Sequence, residues 1–199
     1  MVERELKAVV PSPALVRAGL TQAGALPGFN GLMTDQRFDR DGALLARDQV
    51  LRVRHYHENN GVPRVRLTWK GPVAVDPEGG YKLRPEIELE ADGQSEPALA
   101  LIQALGYRQV QAVDRWVEYY RLGGATARLE WYPRMDVLIE VEGDRAAIEA
   151  AVAASGLPRT AFSAESLPAF VARYESRTGH RAAIALAELD GEQPSWHRR

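Results

Sequence analysis

The sequence contains no cysteine among its 199 residues. Disulfides, thiolate zinc sites and cysteine nucleophiles are therefore excluded. It also has no apolar run near the roughly 18 residues that a membrane span requires. Its first residues lack the apolar segment of a signal peptide. We expect a cytoplasmic protein that does not interact with membranes.

No excess of one charge sign exists either, since 25 basic and 27 acidic residues give a net charge of −2. Such a balance argues against a nucleic-acid partner. Lysine is scarce, because all basic residues except Lys7, Lys70 and Lys82 are arginines. With 45% hydrophobic residues, the chain can bury a sizeable core, so global disorder is excluded.

The periodicity of apolar residues predicts an α+β protein with a mainly antiparallel sheet. Strands are predicted at 1–10, 50–57, 63–70, 83–91, 110–121, 126–132 and 136–142. Helices are predicted at 12–25, 96–105, 144–155 and 166–177. Residues 29–47 show mixed character, and Asn59-Asn60-Gly61 indicates a turn. We assign residues 1–178 to one domain and 179–199 to a C-terminal helix or tail that we expect to be partly mobile.

The predicted strands alternate apolar residues with charged ones. Residues two apart on one strand face lie roughly 6.6 Å from each other, so pairs such as Glu3/Glu5 and Arg52/Arg54 bring like charges together. One interpretation is a sheet face exposed to water. The other is a barrel with the charged face inside, which would require a compensating ligand because uncompensated buried charge is costly.

The charged face indicates which ligand would suit such an interior. Carboxylate pairs suit a hard divalent ion such as Mg²⁺ or Mn²⁺, and paired arginines suit phosphate oxygens. The basic residues on this face are Lys7, Arg52, Arg54, Arg64, Arg66, Lys70, Arg84, Arg115 and Arg128. The acidic residues are Glu3, Glu5, Glu86, Glu88, Glu130, Glu140 and Glu142. A polyphosphate with one or two metal ions would bring this set near neutrality.

Several of these segments form an ordered series of motifs. The series runs through Glu3-Arg4-Glu5-Leu6-Lys7, Phe38-Asp39, Leu51-Arg52-Val53-Arg54, Leu67-Thr68-Trp69-Lys70-Gly71-Pro72, Arg84-Pro85-Glu86-Ile87-Glu88, Arg115, Glu130 and Glu140-Val141-Glu142. It resembles the CYTH proteins, the triphosphate tunnel metalloenzymes, whose N-terminal signature is ExExK. That family includes class IV adenylyl cyclases, thiamine triphosphatases and inorganic triphosphatases. The resemblance covers about residues 1–176.

The resemblance implies an eight-stranded antiparallel β-barrel, a tunnel open at both ends, with helices packed on its outside. It implies that Lys7 lies near the reacting phosphate, and we assign catalytic roles to Lys7 and Lys70. The substrate-binding residues implied by the motifs or by alternation are Arg52, Arg54, Arg64, Arg66, Arg84, Arg115 and Arg128. The implied ligands of Mg²⁺ or Mn²⁺ are Glu3, Glu5, Glu86, Glu88, Glu130, Glu140 and Glu142.

The resulting functional hypothesis is a metal-dependent phosphohydrolase acting on tripolyphosphate, a nucleoside triphosphate or thiamine triphosphate. Two alternatives stay open. One is a class IV adenylyl cyclase that converts ATP to cyclic AMP and pyrophosphate, and the other is a non-catalytic polyphosphate-binding module. The expected partner is a small molecule containing a triphosphate. The sequence leaves the substrate, the metal and the oligomeric state open, with a homodimer among the alternatives.

Overall fold

The computed structural model describes residues 1–58, 64–91 and 93–198, and strands dominate it. The described strands are β1 (Val2–Val9), β2 (Leu26–Asp39), β3 (Val50–Glu58), β4 (Arg64–Lys70), β5 (Ala74–Val75), β6 (Lys82–Ala91), β7 (Arg108–Leu122), β8 (Ala125–Trp131) and β9 (Leu138–Glu142). The described α-helices are α1 (Pro13–Gln22), α2 (Glu96–Ala104), α3 (Arg145–Ala154) and α4 (Leu167–Thr178). No helix in the described ranges is long and apolar enough to cross a membrane.

Eight of the described strands close into an antiparallel barrel in the order β1-β9-β8-β7-β2-β3-β4-β6. The barrel closes because β6 also pairs with β1, from Val2 opposite Pro85 to Glu5 opposite Lys82. The short strand β5 extends the edge beside β6. The α+β barrel predicted from the motifs is therefore confirmed.

The apolar face of β1, β8 and β9 lies on the outside of the barrel, beneath α1 and α3. Asp144 caps the N-terminus of α3, since its side chain accepts a hydrogen bond from the Ala147 backbone N–H over 2.8 Å. Helix α1 crosses α3 so closely that a Cβ at Gly19 would lie 2.3 Å from the Ala154 carbonyl oxygen. The buried apolar residues of this layer include Leu6, Ala8, Val16, Leu20, Leu129, Ile139, Val141, Ile148, Ala151 and Val152.

A second layer packs on one end of the barrel. Leu167 and Phe170 of α4 lie in a buried apolar cluster with Val113, Tyr132 and Leu138. The chain after α4 also contacts the barrel, since Ala183 forms a β-bridge with Arg134 and Trp196 is buried in the main core. The domain boundary at residue 178 and the mobility of 179–199 stay predictions.

Strand β2 is the main element that the sequence did not predict. Its first residues include Pro27, Gly28 and Gly31, which normally indicate turns. The strand forms because β3 and β7 pair with its two edges, and a register irregularity between Pro27 and Asn30 accommodates the turn-forming residues. The predicted turn at 59–61 lies outside the described residues.

Candidate functional site

Most of the predicted site residues lie inside the barrel. The alternation that turns apolar residues outward turns charged residues inward, so the interpretation of a water-exposed charged face does not apply to them. Ten of the predicted residues are at most 9% exposed: Glu3, Glu5, Lys7, Arg52, Arg54, Arg84, Arg115, Arg128, Glu130 and Glu140.

The remaining predicted residues lie nearer the ends of the barrel. Lys70 and Glu86 are nearly buried and contact each other over 3.1 Å. Arg66 and Glu88 form an ion pair of 2.8 Å, with about a third of the Glu88 side chain exposed. Glu142 is equally exposed, and Arg64 is an exposed residue. The structure therefore does not bring Arg64, Arg66, Glu88 or Glu142 into the barrel centre.

A cavity of about 230 Å³ occupies the interior. It is reached between residues 45–50 and residues 166–168, which we call the mouth. Its lining includes nine basic residues and four acidic ones, an excess that favours an anionic ligand. The basic residues are Lys7, Arg37, Arg52, Arg54, Lys70, Lys82, Arg84, Arg115 and Arg128, and the acidic ones are Glu5, Asp48, Glu130 and Glu140.

Three of the lining guanidinium groups have an unsatisfied donor. The Nε atoms of Arg37, Arg52 and Arg128 are buried and have no hydrogen-bond partner in the described part of the chain. Buried donors are normally paired, because an unmade hydrogen bond leaves the full desolvation cost. Three such donors around one cavity indicate a ligand with several acceptor oxygens.

An acidic cluster lies beside the cavity. Carboxylate oxygens of Glu3, Glu5 and Glu140 lie within 4.8 Å of one another, and all three residues are buried. Glu3 and Glu5 share the inner face of β1, and β9 brings Glu140 opposite Lys7. A set of three hard oxygen ligands with these spacings fits Mg²⁺ or Mn²⁺.

The ammonium groups of the three lysines form ion pairs with the carboxylates of this cluster and compensate their negative charge. Lys7 Nζ lies 2.6 Å from Glu5 and 2.5 Å from Glu140. Lys70 Nζ lies 2.5 Å from Glu3, and Lys82 Nζ lies 2.7 Å from Glu5. The three rare lysines therefore gather at one place, although only two of them belong to the motifs.

These contacts shift the ionisation of the cluster. Burial raises the pKa of Glu5, but Lys7, Lys82 and Lys70 outweigh it and hold that pKa well below its usual value. Burial, together with the neighbouring charge of Lys7, lowers the pKa of Lys82 to about 8 against the attraction of Glu5. Lys82 was not predicted as a site residue, although it has the same strand parity as Arg84 and Glu86.

Asp35 organises the arginines on the opposite side of the cavity. Its carboxylate accepts two hydrogen bonds from Arg54, at 2.6 and 2.8 Å, and one from Arg115 at 3.2 Å. Arg52 lies 3.6 Å away. Burial raises the pKa of Asp35, but the three guanidinium groups hold it well below its usual value. Asp35 and Arg37 were missed because β2 was not predicted as a strand.

Glu130 and Glu86 lie among cations and outside the acidic cluster. Glu130 accepts hydrogen bonds from Arg115 over 3.2 Å and from the Tyr132 hydroxyl over 2.7 Å. Glu86 lies 3.6 Å from Arg52. The geometry gives these two carboxylates a role in orienting arginines, whereas their assignment as metal ligands stays a prediction.

The excess of cations around the cavity predicts that a polyanion stabilises the fold. Tripolyphosphate with Mn²⁺ at 100 times its dissociation constant should raise the free energy of unfolding by about 2.7 kcal/mol. For a chain of this size each kcal/mol raises the melting temperature by about 2–4 °C, so we expect a rise of roughly 5–10 °C. Differential scanning fluorimetry with and without the ligand measures this shift. Sodium chloride at the same ionic strength serves as the control, and an unchanged melting temperature with tripolyphosphate would contradict an anion site.

Comparison with known proteins shows which fold this barrel shares. The sequence matches no family model and no curated protein. A solved structure of a candidate adenylate cyclase from Vibrio parahaemolyticus is similar, with a TM-score of 0.71 and 17% identity over 86% of this chain and 98% of that one. The PH1819 protein of Pyrococcus horikoshii has a TM-score of 0.64 and 24% identity over 82% of this chain and 94% of that one.

A third similar structure is that of a candidate adenylyl cyclase from Hippeastrum, described as having a dominant triphosphatase activity. Its TM-score is 0.60, with 17% identity over 94% of this chain and 98% of that one. At these identities the likeness shows a shared fold. The barrel with covering helices that the motif resemblance implied is thus a fold that these solved structures share.

Proposed function

We propose that this barrel, which shares its fold with candidate adenylyl cyclases, belongs to a divalent-metal-dependent triphosphatase. The observation that carries the proposal is one cavity that combines an acidic cluster with a large excess of cations. Acidic oxygens suit a hard metal ion, and unsatisfied guanidinium donors suit phosphate oxygens. A linear triphosphate bound with Mg²⁺ or Mn²⁺ satisfies both requirements at once.

The arginines around Asp35 hold and orient the phosphate chain. Arg52, Arg54 and Arg115 are fixed by Asp35, so little motion is needed when they bind phosphate oxygens. Phosphoryl transfer requires mainly such positioning and charge stabilisation by the protein. The carboxylates of Glu3, Glu5 and Glu140 would hold the metal, which when bound neutralises phosphate charge and polarises the reacting oxygen.

Lys7 connects the acidic cluster with the phosphate-binding side. Its ammonium group contacts Glu5 and Glu140, and it also lines the cavity. With Glu3, Glu5 and Glu140 holding a metal ion, Lys7 would be available to donate to a phosphate oxygen. Lys70 has the equivalent relation to Glu3 and Glu86.

The size and lining of the cavity favour hydrolysis over cyclisation. Its volume of about 230 Å³ lies below the roughly 300–1,000 Å³ typical of pockets that enclose drug-sized ligands. The charged residues form most of the lining, which suits a phosphate chain better than a nucleobase. Cyclisation requires a bound nucleoside whose ribose oxygen is aligned with the α-phosphate, whereas hydrolysis requires only the phosphate chain and water.

Incubation with tripolyphosphate, thiamine triphosphate or ATP, each with Mg²⁺ or Mn²⁺, tests the proposal. We expect tripolyphosphate to yield pyrophosphate and phosphate, resolved by ion chromatography. Cyclic AMP from ATP would instead identify a cyclase. Saturable binding of all three compounds without any product would identify a polyphosphate-binding module.

Replacement of Lys7 by Arg should separate catalysis from binding. An ammonium is a compact charge, and the guanidinium of Arg places its charge differently. A misplacement of about 1 Å can cost on the order of 100-fold in rate, so we expect kcat to fall by at least about ten-fold while KM changes little. Arg64→Lys, at an exposed position, is the matched control. Equal and mild losses in both variants would show that Lys7 supplies only charge.

A further inference from the structure

One end of the barrel interior is filled by apolar side chains instead of charged ones. Phe29, Met33, Tyr56, Val117 and Tyr119 form a separate cluster, which we call the aromatic plug. Met33, Tyr56, Val117 and Tyr119 have the same strand parity as the charged interior residues of β2, β3 and β7, so they face inward. Phe29 lies at the register irregularity of β2, and its ring contacts place it among them. Met33 and Val117 are fully buried, so water does not reach the centre of the plug.

The rings of the plug are packed in defined contacts. Phe29 meets Tyr56 edge to face at 5.2 Å between ring centroids, and meets Tyr119 in the same way at 5.6 Å. The Tyr119 hydroxyl contacts the Met33 sulfur over 3.7 Å. Gly31 allows the close approach of β3 as well as this packing, because a Cβ there would lie 2.3 Å from the His57 carbonyl oxygen and 3.1 Å from the Phe29 ring. Such edge-to-face packing is favourable beyond the burial of area alone.

Charged residues complete the closure around the plug. The guanidinium of Arg66 lies over Tyr56 at 5.7 Å, and that of Arg128 lies over Tyr119 at 5.6 Å. The same two arginines form ion pairs with Glu88 and Glu142 on the β6 and β9 side of the barrel. This end therefore has a buried apolar half, formed by the plug, and a half formed by partly exposed ion pairs.

The cavity ends where the plug begins. In the described part of the chain, its lining reaches Arg54 and Arg128 and includes no member of the plug. At the opposite end the lining extends to Gln49, Val50 and Ser166, which belong to the mouth. A barrel with one opening would differ from the tunnel open at both ends that the motif resemblance implied.

We propose that the aromatic plug makes the barrel a pocket with a single mouth, so that a linear triphosphate enters by its free terminal phosphate and its products leave by the same route. The inference rests on the proposed function and deepens it. Any group attached to the other end of the phosphate chain stays at the mouth, outside the charged cavity. The matching substrates are short phosphate chains with at least one free end, and any group on the other end is distinguished only by the mouth residues.

Obstruction of each end in turn tests this inference. Gln49→Trp and Ser166→Trp place a large side chain at the mouth, at two independent positions. Glu90→Trp and Arg121→Trp do the same at the plugged end, where both residues are exposed. For each variant that keeps a cooperative thermal transition, calorimetry measures the affinity for tripolyphosphate with Mn²⁺, and product formation gives KM.

We expect both mouth variants to lose about ten-fold or more in affinity for tripolyphosphate, because an over-filled entrance weakens binding. We expect the affinity of both plugged-end variants to stay within about two-fold of that of the wild type. A loss of affinity in the plugged-end variants, or none in the mouth variants, would overturn the inference. If the wild type itself neither binds nor cleaves tripolyphosphate, the proposed function fails instead. The two failures are therefore distinguishable.

Discussion

Replacement of Glu140 by Gln is expected to abolish measurable turnover at limiting Mn²⁺. Gln keeps the shape of the side chain but removes one of three negative charges from the acidic cluster. Loss of a residue that only hydrogen-bonds to a metal ligand typically lowers metal affinity by about 10–100-fold. Loss of a ligand itself should therefore lower it by about 100-fold or more. Calorimetric titration with Mn²⁺ measures the affinity directly, independently of activity.

Glu142→Gln provides the matched control for this prediction. Glu142 lies two residues further along β9, on the same strand face, but its side chain is a third exposed and pairs with Arg128. The motifs assign both residues to the metal, whereas the structure brings only Glu140 to Glu3 and Glu5. We therefore expect the Mn²⁺ affinity of the control to stay near that of the wild type. An equal loss in both variants would contradict the three-residue cluster and favour the assignment from the motifs.

Replacement of Asp35 by Asn should produce the largest loss of stability. The carboxylate is fully buried among Arg52, Arg54 and Arg115, and the variant leaves their charges uncompensated. Removal of one partner from a buried ion pair typically costs about 3–5 kcal/mol, so a chain of this size should lose roughly 6–20 °C in melting temperature. Tripolyphosphate should stabilise the variant more than the wild type, because the freed arginines bind the anion.

The same residue sets part of the acid sensitivity of the fold. The folded-state pKa of Asp35 is held well below the value of about 3.9 in an unfolded chain. Its stabilising contribution is therefore fully present above that unfolded pKa and is lost as the pH falls through it toward the folded-state pKa. Urea unfolding between pH 7 and pH 3 should show a stability difference between wild type and Asp35→Asn that shrinks below about pH 4. A constant difference would contradict this role.

Strand alternation made most of the interior predictable. In β8, and in β1 and β3 apart from Arg4 and the histidines, charged residues alternate with apolar ones, so the inner set could be identified without knowing the strand order. The acidic cluster could not be derived in this way, since β9 must lie beside β1 before Glu140 approaches Glu5. Parity alone treats Glu140 and Glu142 as equivalent, and only the position along the barrel axis distinguishes them.

Strand β2 shows why the rest was missed. Its Pro and Gly residues indicate turns when the local sequence is considered alone, whereas pairing with β3 and β7 determines its conformation. Asp35, Arg37 and the plug residues Phe29 and Met33 all lie on this strand. The central carboxylate of the arginine cluster and the closed end of the barrel therefore depend on one element that only tertiary contacts specify.

The closure of the barrel through its first strand has a consequence for folding. Strand β1 pairs with β6 and β9, so its neighbours lie far away in sequence and its contacts carry a high loop-closure cost. During synthesis this strand leaves the ribosome before β2 to β9, yet both of its edges stay unpaired until β6 and β9 have followed. Glu3 and Glu5 can meet Glu140 only after β9 has been made. A nascent chain that stops before residue 138 therefore cannot contain the acidic cluster.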